Sequence, residues 1–309
     1  MNLYFIVNPA AKNGQSMKIW KKIEQSVKSN QIPFEVYFTK QRGDGKTIAR
    51  SILENTNNPV TIVPVGGDGT VNEVVDGIHP FNHGILGFIP AGSGNDFSRG
   101  FSLPNHPKQA FQRLLLSIKN HSEKKYDIGQ FTIDQKKGIF INNLGCGFDA
   151  QIAIHANQSK LKQRLNRIFL GKLVYVFYLI KELLTFQPSK LTIQVDGNTT
   201  AFDKAWFATV CNHPFFGGGM KISPASKPDD GQFEVIVVHN ISRMKVLSVF
   251  LTVFWGGHTK MKEVSILKGK KVTILNEASF PVHADGEEIG KSTIAISIHS
   301  EAVSILVNE

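Results

Sequence analysis

The sequence predicts an α/β amino-terminal domain with an open, mainly parallel sheet, followed by a β-rich carboxy-terminal domain with helical inserts. Three observations carry this reading. Buried strands and amphipathic helices alternate through the first third of the chain. From about Phe131 the pattern changes to short alternating strands separated by turn residues. At 309 residues the chain also exceeds one domain of roughly 150 residues.

The elements follow in order. Leu3–Val7 reads as a first buried strand, and Ile19, Trp20, Ile23 and Val27 share a face of a helix over Met17–Val27. Phe34–Phe38 is the next strand, with a helix near Thr47–Glu54. Strand Val60–Val65 then runs into a glycine-rich turn and a short helix near Val71–Gly77. Strand Ile85–Ile89 leads to a helix over Lys108–Ile118 that turns Ala110, Phe111, Leu114, Leu115 and Ile118 inward. Near-continuous apolar strands linked by helices imply a parallel sheet covered on its faces. Ligands of such sheets sit outside the carboxyl ends of the strands.

The second half holds strands at Gly138–Asn142, Leu191–Val195, Ala205–Cys211, Phe233–Val238, Ser265–Leu267, Lys271–Leu275 and Thr293–Ile298. Asp196-Gly197 is a hairpin signal. A β-sandwich or barrel with helical inserts around 151–185 and 243–255 accounts for this half. The expected domains are residues 1–126 and 127–299, divided near the polar stretch Asn120–Lys125, with about 300–309 packing back on the first.

A net charge of +10 favours phosphate-rich partners. No nucleic-acid recognition motif accompanies it, so nucleic acid is not expected as a partner. Cys146 and Cys211 lack paired spacing, which excludes a disulfide scaffold and a cysteine zinc site and fits a reducing compartment. His155, His213, His239, His258 and His283 form no metal-ligand pattern. The apolar runs Ile168–Ile180 and Val246–Trp255 are short for a spanning helix. The expected location is cytoplasmic with peripheral membrane contact.

The strongest motif is Val65-Gly66-Gly67-Asp68-Gly69-Thr70-Val71-Asn72-Glu73, after a buried strand and opening a helix. Its glycines allow a sharp turn and close ligand approach, and the helix N-terminus suits a phosphate. Thr70 offers a hydroxyl, and Asp68 a carboxylate for a magnesium shell or a polar nucleotide edge. An ordinary turn capped by Asp68 is the plainer alternative. A second loop, Pro90-Ala91-Gly92-Ser93-Gly94-Asn95-Asp96-Phe97-Ser98-Arg99, repeats the design, and Asn8-Pro9-Ala10-Ala11-Lys12-Asn13-Gly14 adds a third rim and a cation. Neither a Walker A sequence nor the dinucleotide fingerprint is present.

Taken together with NNLGCGFDA at 142–150, GGGMKISPASKPDDGQFEV at 217–235 and ADGEE at 284–288, these motifs resemble the diacylglycerol-kinase-like lipid kinases, the group of bacterial diacylglycerol kinases and sphingosine kinases. The resemblance runs through almost the whole chain in order. It implies an NAD kinase/phosphofructokinase-like first domain, a β-sandwich second domain, and phosphoryl transfer from ATP to a lipid hydroxyl in the cleft between them. ATP would lie against Asn8, Pro9, Ala10, Lys12, Gly14, Thr39, Gly66, Gly67, Asp68, Gly69, Thr70, Asn72, Glu73, Ser93 and Asn95. Ser93 stands where the family usually has threonine and keeps the hydroxyl. Glu287 corresponds to the general base, with Asp68 as the other catalytic acid residue. Asp230 would ligate Mg²⁺ through its side chain, and Lys227 and Gln232 through their carbonyls.

The same resemblance turns Asp149 toward the lipid head, with Asp96 and Arg99 further candidates on the lipid side. Lys160, Lys162, Arg164 and Arg167, interleaved with Leu161, Leu165, Ile168, Phe169 and Leu170, read as a basic amphipathic segment for an anionic membrane surface. A solvated helix over the second domain is the alternative. A homodimer is compatible with all of this. Two other functions share parts of the pattern: an NAD kinase, through the GGDG loop, and a catalytically silent nucleotide- or lipid-binding regulator.

Overall fold

The computed structural model describes residues 2–159 and 172–307. The chain forms two compact units, one holding the chain to Ile128 together with its end from Ser300, the other Gly129–His299.

In the first unit, β1 (Asn2–Val7), β2 (Phe34–Phe38), β3 (Val60–Gly66) and β4 (Gly84–Leu86) pair in parallel in the order β2-β1-β3-β4. β3 is buried along its whole length, Thr61 included, as expected of a largely apolar strand covered on both faces. Helix α1 (Gln15–Ser29) buries Trp20, Ile23 and Val27 against the sheet, and the Trp20 ring packs 4.9 Å from Phe5, centroid to centroid. Helices α2 (Asp44–Glu54) and α3 (Asp68–Ile78) follow β2 and β3.

The strand expected over Ile85–Ile89 is broken into β4 and β5 (Ile89–Pro90). At the break, Gly87 is so tightly enclosed that a Cβ would lie 2.6 Å from Leu114 Cδ1 and 2.9 Å from Val63 Cγ2. The short helix α4 (Asp96–Gly100) comes next, and α5 (Pro107–Asn120) opens on the proline and buries Ala110, Phe111 and Leu114. The returning chain end adds a parallel partner to β4, Ser304 opposite Ile85 and Ile305 opposite Leu86.

The polar stretch Asn120–Lys125 is no open linker. It leads into the 11-residue strand Glu123–Ile133, whose first three residues are exposed and whose later ones are largely buried. Its polarity records solvent on one end of a strand.

The second unit is an antiparallel β-sandwich with helical inserts. Its spine is the strand Asn198–Cys211, which pairs with Ser189–Val195 in its first half. From Phe207 it pairs with Asn143–Gly147 on one side and Phe233–His239 on the other. Irregular registers on both sides of Ala205 mark the change of partners; such bulges bend a strand so that it serves two layers. Asp196-Gly197 forms the predicted two-residue turn, with φ of 48° and 89° and Val195 opposite Asn198.

The inserts are the helices Phe148–Gln158, Lys172–Thr185 and Arg243–Thr252. Phe148, Phe186, Trp206 and Phe280 pack edge to face, tilted or stacked between helices and strands. Lys160, Lys162, Arg164 and Arg167 lie outside the described residues. Among the described residues no helix is long and apolar enough to cross a membrane.

Candidate functional site

Because β1, β2, β3 and β5 run in parallel, the loops after Val7, Phe38, Gly66 and Pro90 emerge at one edge of the sheet. Asn8, Thr39, the Gly66–Thr70 turn, Ser93 and Asn95 all stand on those loops or at the helix starts they feed. The loops are tied to one another. Asn8 Nδ2 donates to Thr70 Oγ1 at 3.0 Å, and Asn8 Oδ1 accepts from the Ala10 N–H at 3.0 Å.

Gly66 is the residue that allows this: a Cβ there would lie 2.4 Å from Thr70 Oγ1. The two glycine turns also touch, since a Cβ on Gly92 would lie 2.4 Å from Gly67 Cα. Helix α3 begins at this contact without a side-chain cap, and nothing lies within 4 Å of the Cβ position of Gly69. A helix start without a side-chain cap is a ready anion site. In the first loop Lys12, Asn13 and Gly14 are consecutively left-handed, with φ of 49°, 56° and 84°. Backbone in that region costs on the order of 1–3 kcal/mol per non-glycine residue and gathers at ligand sites. Ser16 Oγ, donating to the Asn8 and Pro9 carbonyls at 2.6 and 3.1 Å, helps hold the loop there.

Several acidic residues of these motifs are engaged structurally. Asp68 Oδ1 accepts from the Phe97 N–H at 2.9 Å, which fastens the first glycine turn to the start of α4 in the second. Burial pushes the Asp68 carboxyl up, opposed by the N–H groups of Phe97, Asp96 and Asn95 and by the Arg99 charge. Both Glu73 oxygens accept backbone N–H groups, from Gly43 at 2.9 Å and Gly45 at 3.0 Å, so this side chain caps the start of α2. Asp96 pairs with Arg99 at 2.9 Å, and Arg99 Nη1 also donates to the Gly94 carbonyl. Asn95 is left-handed at φ 54°, and its buried Oδ1 has no hydrogen-bond partner among the described residues.

In the second unit, Asp285 and Gly286 make a left-handed hairpin turn, with φ of 47° and 86°. The Asp285 carboxylate accepts three backbone N–H groups, from Ile141 at 2.8 Å, Asn142 at 2.9 Å and Asn143 at 3.0 Å. Asn157 Nδ2 donates to the Gly286 carbonyl at 2.8 Å. The strand that follows starts with Glu287 opposite Ala284 and Glu288 opposite His283. Both glutamates are exposed, and successive strand residues face opposite sides. Glu288 borders a cavity of about 390 Å³ together with Gln151, His155 and Lys291, so Glu287 stands on the other face.

Beneath the hairpin lies a buried polar group that sequence reasoning found only in part. Asp149 Oδ2 accepts from Thr209 Oγ1 at 2.7 Å, and Oδ1 from the Ala150 N–H at 2.7 Å. His283 is fully buried with Nε2 3.9 Å from Asp149 Oδ2. Its Nδ1 accepts from the Gly286 N–H at 3.1 Å, which places the ring hydrogen on Nε2, an atom without a hydrogen-bond partner among the described residues. Burial pushes the Asp149 carboxyl up to about 6 and the His283 imidazole down to about 4. Thr209 carried no sequence signal beyond its place in an apolar strand, and His283 carried none. Cys146 and Cys211 are buried core residues whose thiols burial pushes upward.

Lys227, Asp230 and Gln232 are exposed on one turn, where Asp230 Oδ1 accepts from the Gln232 N–H at 3.1 Å. One carboxylate and two carbonyls form an all-oxygen donor set, which fits a Mg²⁺ ion that keeps several waters. No group of three or more His, Cys, Asp or Glu residues suited to a metal occurs among the described residues.

Comparison with known proteins fits this arrangement. Residues 2–131 match the model of the diacylglycerol kinase catalytic domain, and residues 142–307 that of the YegS C-terminal NAD kinase beta sandwich-like domain. The chain is 32% identical over 302 residues to the Bacillus subtilis (strain 168) protein named "Putative lipid kinase YtlR", covering 95% of this chain and 96% of that one. It is 31% identical over 257 residues to the diacylglycerol kinase of Staphylococcus aureus (strain NCTC 8325 / PS 47), covering 82% of this chain and 76% of that one.

Among solved structures, a diacylglycerol kinase from Bacillus anthracis str. Sterne superposes with a TM-score of 0.71 at 20% identity, covering 99% of this chain and 97% of that one. An NAD kinase from Archaeoglobus fulgidus in complex with ATP superposes with a TM-score of 0.55 at 14% identity, covering 100% of this chain and 94% of that one. These two likenesses concern the fold. The chain belongs to the diacylglycerol kinase family of lipid kinases. Its activity at that level is of the lipid-kinase type.

Proposed function

We propose that the protein transfers the γ-phosphate of MgATP to the hydroxyl of a membrane lipid such as diacylglycerol. The observation that carries the reading is the crossing of the two glycine turns at Gly67 and Gly92, beside the uncapped start of α3. Phosphoryl transfer depends on holding the phosphates in line and stabilising their charge more than on covalent chemistry. In this reading the α3 N-terminus, Thr70 and the Asn8–Gly14 loop with Lys12 bind and orient the phosphates, while Ser93 and Asn95 close the second side. Asp68 keeps the two turns in register through its bond to Phe97, and its carboxylate would help hold the Mg²⁺ that neutralises the phosphate charge.

The acceptor end belongs to the second unit. Glu287 takes the proton from the lipid hydroxyl, positioned by a turn that Asp285 fastens with three backbone bonds. Asp149 and the Nε2–H of His283 recognise the polar head. Lys227, Asp230 and Gln232 would hold a structural Mg²⁺, which supplies local charge neutralisation on that loop. Incubation of the purified protein with radiolabelled ATP and a panel of lipids in mixed micelles tests the proposal, with NAD as a competing acceptor. Label in the organic phase is expected. Label appearing only in NAD, or in no acceptor, would remove it.

A further inference from the structure

The helix Arg243–Thr252 and the turn after it carry large apolar side chains on both the buried and the exposed side, with Lys245 and Ser248 exposed among them. Val246, Val249 and Val253, three and four residues apart, are buried in the sandwich core. On the opposite side Met244, Leu251 and Trp255 follow at spacings of seven and four, exposed to 74%, 62% and 67%, with Phe254 beside them at 51%. A surface helix ordinarily presents polar residues there, and a row of large exposed apolar side chains marks an interaction surface.

The charge around this row has one sign. From Asn240 to Lys262 the chain carries Arg243, Lys245, Lys260 and Lys262 and no aspartate or glutamate. The next acid, Glu263, is engaged by Lys245 at 2.6 Å. Arg243 Nη1 donates to the Leu183 carbonyl, which joins this helix to the end of Lys172–Thr185. That second helix shows its own outward row, Phe177, Ile180 and Leu184, exposed to 52%, 53% and 70%. Leu184 and Met244 are each the residue after the one that makes the joining bond.

We propose that this surface, led by the 244–255 row, seats on an anionic lipid bilayer, with Trp255 at the interface and Lys260 and Lys262 against the headgroups. Apolar side chains entering the acyl boundary beside cations that face lipid phosphates are how an interfacial helix binds, and tryptophan favours that depth. A second copy of the chain fits the surface poorly, because a two-fold contact sets the same cations against each other. The inference deepens the lipid-kinase reading and rests on it for why the surface meets lipid at all. Vesicle binding without ATP or acceptor isolates it from that reading, which short-chain acceptors dispersed in detergent test separately.

The sequence supplies the probe. Of the three tryptophans, Trp20 and Trp206 are buried at 2% and 1% exposure, and Trp255 stands outside. Mixing the full chain with phosphatidylcholine–phosphatidylglycerol vesicles should shift emission to the blue, and bromine on the acyl chains should quench it. Pure phosphatidylcholine vesicles should do neither at matched concentration, and Trp255→Phe should lose both signals.

Lys260→Gln with Lys262→Gln should weaken vesicle binding about 30-fold, from roughly 1 kcal/mol per cation near the surface. Leu251→Ser should weaken sedimentation with vesicles while leaving the melting temperature in place, because the side chain already faces solvent. Vesicle binding with no quenching of Trp255 would overturn the proposal. So would an unchanged vesicle affinity in Leu251→Ser, or a Leu251→Ser variant whose only change is a dimer becoming a monomer in sedimentation.

Discussion

Replacing Gly92 by alanine tests whether the contact of the two glycine turns shapes the nucleotide site. The added Cβ would lie 2.4 Å from Gly67 Cα, 3.1 Å from Asn95 Oδ1 and 3.2 Å from Gly67 N, against 3.4–4 Å for ordinary contact. Two of these three neighbours are backbone atoms, so no flexible side chain can move aside. One turn must retreat by about 1 Å, and overpacking of this kind costs about 1–3 kcal/mol of stability. A displacement of that size at a site that orients reacting groups costs on the order of 10²-fold in rate. Gly92→Ala should therefore lower the melting temperature by calorimetry, weaken ATP binding by titration calorimetry and reduce kcat/KM about 10²-fold. Gly69→Ala is the informative partner. Nothing lies within 4 Å of its Cβ, and alanine favours a helix start over glycine, so stability should hold while ATP binding suffers if phosphate lies over this turn. A Gly92→Ala protein with wild-type melting and ATP affinity, or a Gly69→Ala protein with unchanged ATP affinity, would refute the reasoning.

Three further outcomes are expected. Glu287→Gln should reduce turnover at saturating ATP and lipid on the order of 10²- to 10⁴-fold with nucleotide affinity kept, whereas Glu288→Gln, on the opposite face, should stay near wild type; the reverse pattern would exchange their roles. Asp149→Asn should be more stable than wild type at pH 8, because a carboxyl raised from 3.8 to about 6 by burial favours folding below pH 3.8 and loses that contribution as pH rises through 6. The difference in urea denaturation approaches about 3 kcal/mol at most and closes below pH 4, while His283, lowered from 6.5 to about 4, works in the opposite sense in both proteins by losing stability as pH falls from 6.5 to 4. Mg²⁺ should raise the wild-type melting temperature and chelation should lower it, and Asp230→Ala should show neither response if its carboxylate binds the ion.

Much of the fold was legible because its signals are local. The fully buried, largely apolar β3, the buried face of α1 and the Asp196-Gly197 turn each follow from a few consecutive residues. What escaped is set from a distance. The helix expected from Thr47 begins at Asp44, where its carboxylate accepts the Lys40 and Gln41 N–H groups at 2.7 and 3.0 Å and Glu73, about thirty residues on, caps the backbone. The strands Asn143–Gly147 and Val282–Ala284 have no alternating pattern to betray them. Gly145 lacks a side chain because a Cβ would lie 2.3 Å from Asp149 Oδ2 and 2.5 Å from His283 Nε2. That strand is written by the polar group it passes, and its own composition says little.

The site shows the same division in its acids. The motifs name Asp68, Glu73, Asp230 and Glu287 as site residues, and Asp285 stands inside the same ADGEE run. Glu73 and Asp285 are set apart by what they hold. Both oxygens of Glu73 and three bonds to Asp285 are spent on backbone N–H groups. Oxygens so engaged are taken up by backbone N–H groups, and their work is to fix the loop they cap. Glu287 stands on the exposed side of a strand whose entry Asp285 has fixed, where a hydroxyl can approach. Asp68 lies between the two kinds, with one oxygen on Phe97 and a carboxyl that burial pushes upward. Its substitution therefore disturbs the register of the two glycine turns as well as any metal it faces, and an Asp68→Asn variant, which keeps an acceptor for Phe97, separates those effects where alanine would merge them.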